Sequence, residues 1–240
     1  MLTKEQLQII INKSQTNKLN VFREYAQHLF LSSLYRTKGS EKLLFKGGTA
    51  YRIAYKSPRF SEDLDFSTSE INFKQIEELV LKALGDLENI GFKISIEESK
   101  KTTGGYLAKL NILIYEENVL ISIQISLREK TKSENNVVDI LNEYIPTYQA
   151  ILLSERIMIG EKIQASLTRS KPRDFYDIYF LLKNGFLTNS EKDKLVQVKK
   201  VLLNSNIKFK GELSNFLPMS MKALADNFPK LLLSEIDKFF

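Results

Sequence analysis

The sequence predicts an α+β chain: a small mixed sheet with helices packed on it, followed by a helical C-terminal domain. Three patterns carry that expectation. Apolar residues recur at helical spacing over residues 4–36 and 72–89. Short alternating segments with a hairpin between two of them fill residues 92–127. From residue 155 onward only helical stripes recur. The division is set at residues 1–145 and 146–240, because the polar stretch 128–136 and Pro146 mark a junction.

Residues 4–36 read as helix in two pieces, with Leu19, Phe22, Ala26, Leu29, Phe30 and Ser33 on one face. Lys38-Gly39-Ser40 breaks that pattern. Leu43-Leu44-Phe45 is a short buried strand that runs into Gly47-Gly48. Thr49 caps a short helix over residues 50–55, and Pro58 stops it. In the next strand Leu64 and Phe66 alternate with Asp63 and Asp65, so its apolar side faces the core and its acidic side a cleft. Residues 72–89 form a helix with Phe73, Ile76, Leu79, Val80, Ala83, Leu84 and Leu87 as its stripe. Strands follow at 92–97, 106–115 and 119–127, the last two joined at Glu116-Glu117-Asn118. Helices are expected at 155–167, 175–182, 190–203 and 220–228, and residues 231–240 are apolar enough to pack against them rather than dangle.

Composition narrows the chemistry. The 240 residues suffice for a sizeable core, and 43% hydrophobic with 27% charged residues describe an ordinary soluble protein. Without cysteine there are no disulfides and no thiolate chemistry. The one histidine, His28, excludes His-rich zinc sites and HExxH peptidases, and it reads as a structural or surface residue rather than a catalytic one. No apolar run reaches the length of a membrane span, and the first residues lack a signal-peptide core, so a cytoplasmic protein is expected. The net charge of +6 is uneven. Residues 151–240 hold 15 Lys and Arg against 10 Asp and Glu; residues 1–150 hold 20 against 19. That excess favours a polyanionic partner for the second half, against the plainer reading of a lysine-rich surface.

Two clusters carry the chemistry. The first is Phe45-Lys-Gly-Gly-Thr-Ala50 followed by Phe60-Ser-Glu-Asp-Leu-Asp-Phe66. Asp63 and Asp65, two apart on a strand, share a face. Two convergent carboxylates opposite free backbone N–H groups suit a Mg²⁺–nucleotide complex. In that arrangement Gly47, Gly48 and Thr49 cradle phosphates while Asp63 and Asp65 hold the metal. Each half alone has a bland reading, a strand-to-helix turn or exposed strand carboxylates. No GxxxxGK[ST] is present, so this is not a P-loop. Arg59 and Ser61 lie between the motifs; Arg59 either pairs with phosphate or is an ordinary surface arginine or a salt-bridge partner of Glu62.

The second cluster runs from Glu161-Lys162 to Arg169 and on through Arg173-Asp174-Phe-Tyr-Asp177. Lys162 and Arg169 lie on one helical side, and Asp174 and Asp177 on one face of the next helix. The acids read either as dipole partners and ion-pair partners of Lys162 or Arg169, or as catalytic groups.

Together the two clusters resemble the AbiE-type toxin nucleotidyltransferases of the DNA polymerase β-like superfamily, over roughly residues 40–182. The resemblance implies a polymerase β-like nucleotidyltransferase domain joined to a helical domain. It implies the toxin half of a toxin–antitoxin or abortive-infection pair that uses Mg²⁺ and an NTP, with an RNA acceptor, most plausibly the 3′ end of tRNA, and a cognate antitoxin as partner. Carried over by position, Gly48 and Thr49 match the family's Gly-Ser/Thr signature, Asp63 and Asp65 its metal-binding pair, and Lys162 its essential lysine. Asp177, and after it Asp174, matches a downstream catalytic aspartate, and Arg169 assists Lys162.

One departure stands out. The superfamily's third carboxylate belongs on a later strand, whose outward positions here are Ser122, Gln124 and Ser126. None is acidic, so Asp174 or Asp177 is expected to supply that role. Three rival readings remain: transfer to a protein or a small molecule such as an antibiotic, a non-catalytic nucleotide- or partner-binding module, and protein kinase-like activity on a partner.

Overall fold

The structure is a computed structural model describing residues 1–127 and 135–240. Much of the polar stretch 128–136, one expected junction, lies outside those residues. The chain forms two compact units, Met1–Lys56 with Phe60–Ser154, and Ser57–Arg59 with Glu155–Phe240.

The first unit is built on a mixed sheet. Its strands are β1 (Leu44–Lys46), β2 (Asp63–Thr68), β3 (Lys93–Thr102), β4 (Gly105–Ile114), β5 (Glu117–Leu127), β6 (Asn135–Ile140) and β7 (Tyr148–Leu153). Their order among the described residues is β3-β4-β5-β2-β1-β7-β6. β2 pairs antiparallel with β1 and parallel with β5, and β1 pairs parallel with β7. The hairpins β3–β4, β4–β5 and β6–β7 are antiparallel. Alternation explains the sheet's two faces. Val119, Ile121, Ile123 and Ile125 of β5 are buried, while Leu120 and Gln124 between them are exposed.

Among the described residues this unit carries the α-helices α1 (Lys4–Ser14), α2 (Lys18–Arg36), α3 (Gly47–Ile53) and α4 (Phe73–Asn89). α1 and α4 open on capping boxes, Thr3 with Gln6 and Asn72 with Gln75, which satisfy backbone donors at both N-termini. α2 packs against β5, β7 and α4 and is buried from Asn20 to Leu31 except at Arg23, polar residues included. That depth blurs its amphipathic stripe. Leu19, expected on the buried face, is 47% exposed at the first turn.

Two strands went unread in the sequence. β7 is a nearly continuous apolar run, ambiguous by periodicity alone, and its parallel partner lies about a hundred residues earlier. β6 sits at the sheet edge with Val137 exposed, so it lacks a buried alternation. Residues 148–153, expected with the helical half, therefore belong to the sheet unit, and the change to helices comes at Glu155.

The second unit is helical: α5 (Glu155–Thr168), α6 (Pro172–Lys183), α7 (Lys192–Asn204), α8 (Phe209–Phe216) and α9 (Phe228–Lys238). Pro172 opens α6, where its fixed φ suits the first helical position. An aromatic core of Phe175, Tyr176, Phe209 and Phe228 holds α6, α8 and α9 together. α8 was missed; it is two turns long and carries a glycine. Residues 220–228 are expected as one helix; Met219–Asp226 is a 3₁₀ segment and Phe228 begins α9.

Candidate active site

In the first unit the glycine turn and the acidic strand meet by a close backbone approach. Gly47 has φ +82, a left-handed conformation that favours glycine. A Cβ there would lie 2.2 Å from Asp65 Oδ2 and 2.8 Å from Asp65 Cβ. The Asp65 carboxylate thus rests against the bare α-carbon of Gly47. Antiparallel pairing puts Lys46 opposite Asp65. Gly48 and Thr49 are buried at the start of α3. The Thr49 hydroxyl donates to the backbone carbonyl of Asp63, so Thr49 ties α3 to β2.

Asp63 and Asp65 are both partly exposed on one face of β2, with Leu64 and Phe66 buried on the other. The loop leading into β2 is pinned from α2. The Gln27 amide, 1% exposed, donates at 3.0 Å to the carbonyls of both Ser61 and Glu62. Sequence reasoning missed Gln27; its one signal was an amide inside an apolar helix. Glu62 pairs with Arg23 at 3.2 Å. Across β2, register sets Ser122 beside Asp63 and Gln124 beside Asp65. Among the described residues no group of three or more His, Cys, Asp or Glu side chains forms a metal-binding cluster.

The second unit assembles the other predicted residues into two ion-paired sets. Asp177, 1% exposed, receives Arg59 Nε at 2.9 Å and Arg59 Nη2 at 3.1 Å on its two oxygens. Lys162 Nζ lies 2.7 Å from Asp177 Oδ2. Burial opposes ionisation of Asp177. The Arg59 guanidinium and the Lys162 ammonium outweigh it and hold the carboxyl below its ordinary 3.8. Two cations around one carboxylate leave this trio at +1. Asp174, fully buried in the first turn of α6, is held bidentately by Arg169 at 2.7 and 2.6 Å. Arg59, which the sequence left open between phosphate and Glu62, is thus an ion-pair partner of Asp177.

His28 is buried and lies 2.9 Å from the Tyr148 hydroxyl. Burial pushes its imidazole down to about 4. Glu24 opposes that shift, while Lys56 and Arg52 add to it. The nearby Glu24 accepts from Arg52 and from the Tyr144 hydroxyl. His28 is a structural residue of the sheet unit.

Comparison with known proteins agrees with this architecture. The crystal structure of JHP933 from Helicobacter pylori is similar with a TM-score of 0.56 and 20% identity, covering 93% of this chain and 94% of that one. A putative nucleotidyltransferase from H. pylori has a TM-score of 0.56 and 21% identity, covering 99% of this chain and 97% of its own. These likenesses speak to the fold alone: a mixed α+β unit with a helical region. No significant match was found among curated proteins. Residues 29–230 match the family described as "Nucleotidyl transferase AbiEii toxin, Type IV TA system". With the glycine turn, the paired strand aspartates and the lysine–aspartate helices all inside that span, the chain belongs to the AbiEii family of nucleotidyltransferase toxins.

Proposed function

We propose that this nucleotidyltransferase moves a nucleotide from an NTP onto the 3′ end of an RNA, with tRNA as the acceptor. The observation that carries the reading is the pair of partly exposed carboxylates on β2, Asp63 and Asp65, with the Gly47 backbone against Asp65. Their oxygens are hard donors. Mg²⁺ usually takes one or two protein carboxylates together with substrate phosphates and water, so the donor set fits Mg²⁺ and these two residues would hold it. Bound there, it would neutralise phosphate charge and favour ionisation of the attacking hydroxyl.

The chain's own residues do the rest. Backbone N–H groups of Gly47 and Gly48 cradle the β,γ-phosphates. Thr49 and Ser61 act indirectly, since Thr49 fixes the Asp63 carbonyl and the Ser61 carbonyl is held by Gln27. The RNA 3′-hydroxyl attacks the α-phosphate in line; the new P–O bond forms as the α–β bond breaks and pyrophosphate leaves. In the second unit, Lys162 and Arg59 carry the positive charge offered to the polyanionic substrates, and Arg169 supports them. Asp177 and Asp174 are buried and ion-paired, so we assign them to positioning these cations rather than to the metal. Acceptor and NTP place the enzyme in the cytoplasm, and its toxin–antitoxin context supplies an antitoxin partner. No helix among the described residues is long and apolar enough to cross a membrane.

The test is incubation of the protein with total tRNA, Mg²⁺ and each α-³²P-NTP in turn, beside an Asp63→Ala, Asp65→Ala double variant. Label on RNA that the variant cannot add supports the proposal and names the nucleotide. Label on protein or on a small molecule instead would overturn the acceptor assignment. A second reading, a nucleotide-binding module without transfer, draws on the neutral Gln124 beside Asp65; bound nucleotide with no transfer to anything would favour it.

A further inference from the structure

The face of the sheet that carries Asp63 and Asp65 continues past β2. Register sets Ser122 and Gln124 of β5 beside the two aspartates, and Lys109 and Leu107 of β4 beside Ser122 and Gln124. Residues paired in register point to the same side of a sheet. On this side a cavity of about 350 Å³ is lined by Thr102, Leu107, Lys109, Ser122, Gln124 and Ser126, among others. That volume is in the range of small-ligand sites, roughly 300–1,000 Å³. Its polar lining is hydroxyls, one amide and Lys109, whose ammonium is 2.7 Å from Glu98.

Strand order gives this cavity a direction. β2 lies between β1 and β5. The glycine turn follows β1, on one side of the aspartates, and the cavity lies over β5 and β4, on the other. In an in-line displacement the attacking and leaving oxygens stand on opposite sides of the reacting phosphorus. With the β,γ-phosphates on the glycine turn, the leaving pyrophosphate occupies the β1 side. The nucleophile then approaches from the β5 side.

We infer that the β4–β5 cavity receives the terminal ribonucleoside of the acceptor, and that Gln124 contacts that nucleoside instead of serving as a third metal ligand. The inference rests on the transfer reading above. An amide offers two donors and an acceptor, which suits ribose hydroxyls and base edges. A carboxylate at the same place would offer acceptors only and would add a third negative charge facing RNA. The neutral residue at position 124 is therefore a gain for acceptor binding, bought at the loss of a metal ligand. Gln124 is exposed on a regular strand, so its replacement leaves the core intact.

The test compares wild type with Gln124→Leu and Gln124→Glu. Binding of a 5′-fluorescein RNA oligonucleotide ending in CCA with a free 3′-hydroxyl is followed by anisotropy, and KM is measured separately for RNA and NTP. Loss of one or two hydrogen bonds predicts about 3- to 10-fold weaker RNA binding and a matching rise in the RNA KM for Gln124→Leu. The NTP KM and the thermal midpoint stay unchanged, and Gln124→Glu weakens RNA binding at least as much. The inference is overturned if the NTP KM rises instead, if RNA binding is unchanged, or if Gln124→Glu raises kcat and lowers the Mg²⁺ requirement. A wild-type enzyme that labels no RNA overturns the functional reading itself, which separates that failure from a failure of Gln124 alone.

Discussion

Four aspartates anchor the two motif clusters, and burial divides them into two kinds. Asp63 and Asp65 stand partly exposed on a strand of the sheet unit. Asp174 and Asp177 are 0% and 1% exposed in the helical unit, each clamped by a guanidinium, with Lys162 added on Asp177. Two carboxylates two residues apart on a strand share one face, and here both are only partly buried. Two carboxylates three apart on a buried helix face must find cations, because an unpaired charge there costs several kcal/mol. The same side chain thus stands partly open on the strand face in one unit and serves as a buried counter-ion in the other.

The contrast can be broken from either side. The largest effect is expected at the open pair. Asp63→Ala with Asp65→Ala should lower transfer by about 10³-fold or more, yet leave the denaturation midpoint unmoved. A stability loss there would show that these acids serve the fold. Asp177→Asn should do the reverse in stability. It leaves Arg59 and Lys162 without their counter-charge and should cost about 3–5 kcal/mol, read from urea unfolding. An unchanged midpoint would mean that the trio is not held as described.

His28 provides a third comparison, a buried base beside the buried acids. Its folded pKa, about 4, lies below the ordinary 6.5. Between these values the unfolded chain binds the proton and the folded chain does not. The stabilisation is therefore complete above pH 6.5 and is lost as pH falls toward 4, by about 3 kcal/mol in all. Asp177 also has a depressed pKa, so its contribution is present above 3.8 and is lost only below that, as pH falls through its folded value. Urea unfolding from pH 7 to 4.5 should thus show a slope that His28→Asn removes and Asp177→Asn leaves in place. The smallest of the expected stability losses is at the turn. Gly47→Ala meets both φ +82 and the Asp65 carboxylate, costing about 1–3 kcal/mol, and displacement of Asp65 should cost activity beyond that. An alanine variant with full activity would detach the turn from the acidic strand.

Much of the site was legible because its signals are local. A glycine pair after a short strand and aspartates at i,i+2 report their geometry through φ freedom and the strand period. The capped helix over residues 73–89 and the β4–β5 hairpin were legible for the same reason. The strands β6 and β7 and the helix α8 were not. β7 is defined by a distant parallel partner, β6 by an edge, and α8 by aromatic contacts to α6 and α9. None of these leaves a period in a window of ten residues.

By itself the sequence determined the α+β class, the shared face of Asp63 and Asp65, the absence of thiol and multi-histidine chemistry, and the neutral residue at position 124. Each follows from residue identity and a fixed backbone repeat. Only the tertiary structure decided that Thr49 holds the Asp63 carbonyl, that Gln27 pins the loop before β2, and that Arg59 belongs to Asp177 across 118 residues of chain. Those pairings join segments far apart in sequence, and buried polar groups take whichever partner the packed chain brings within reach.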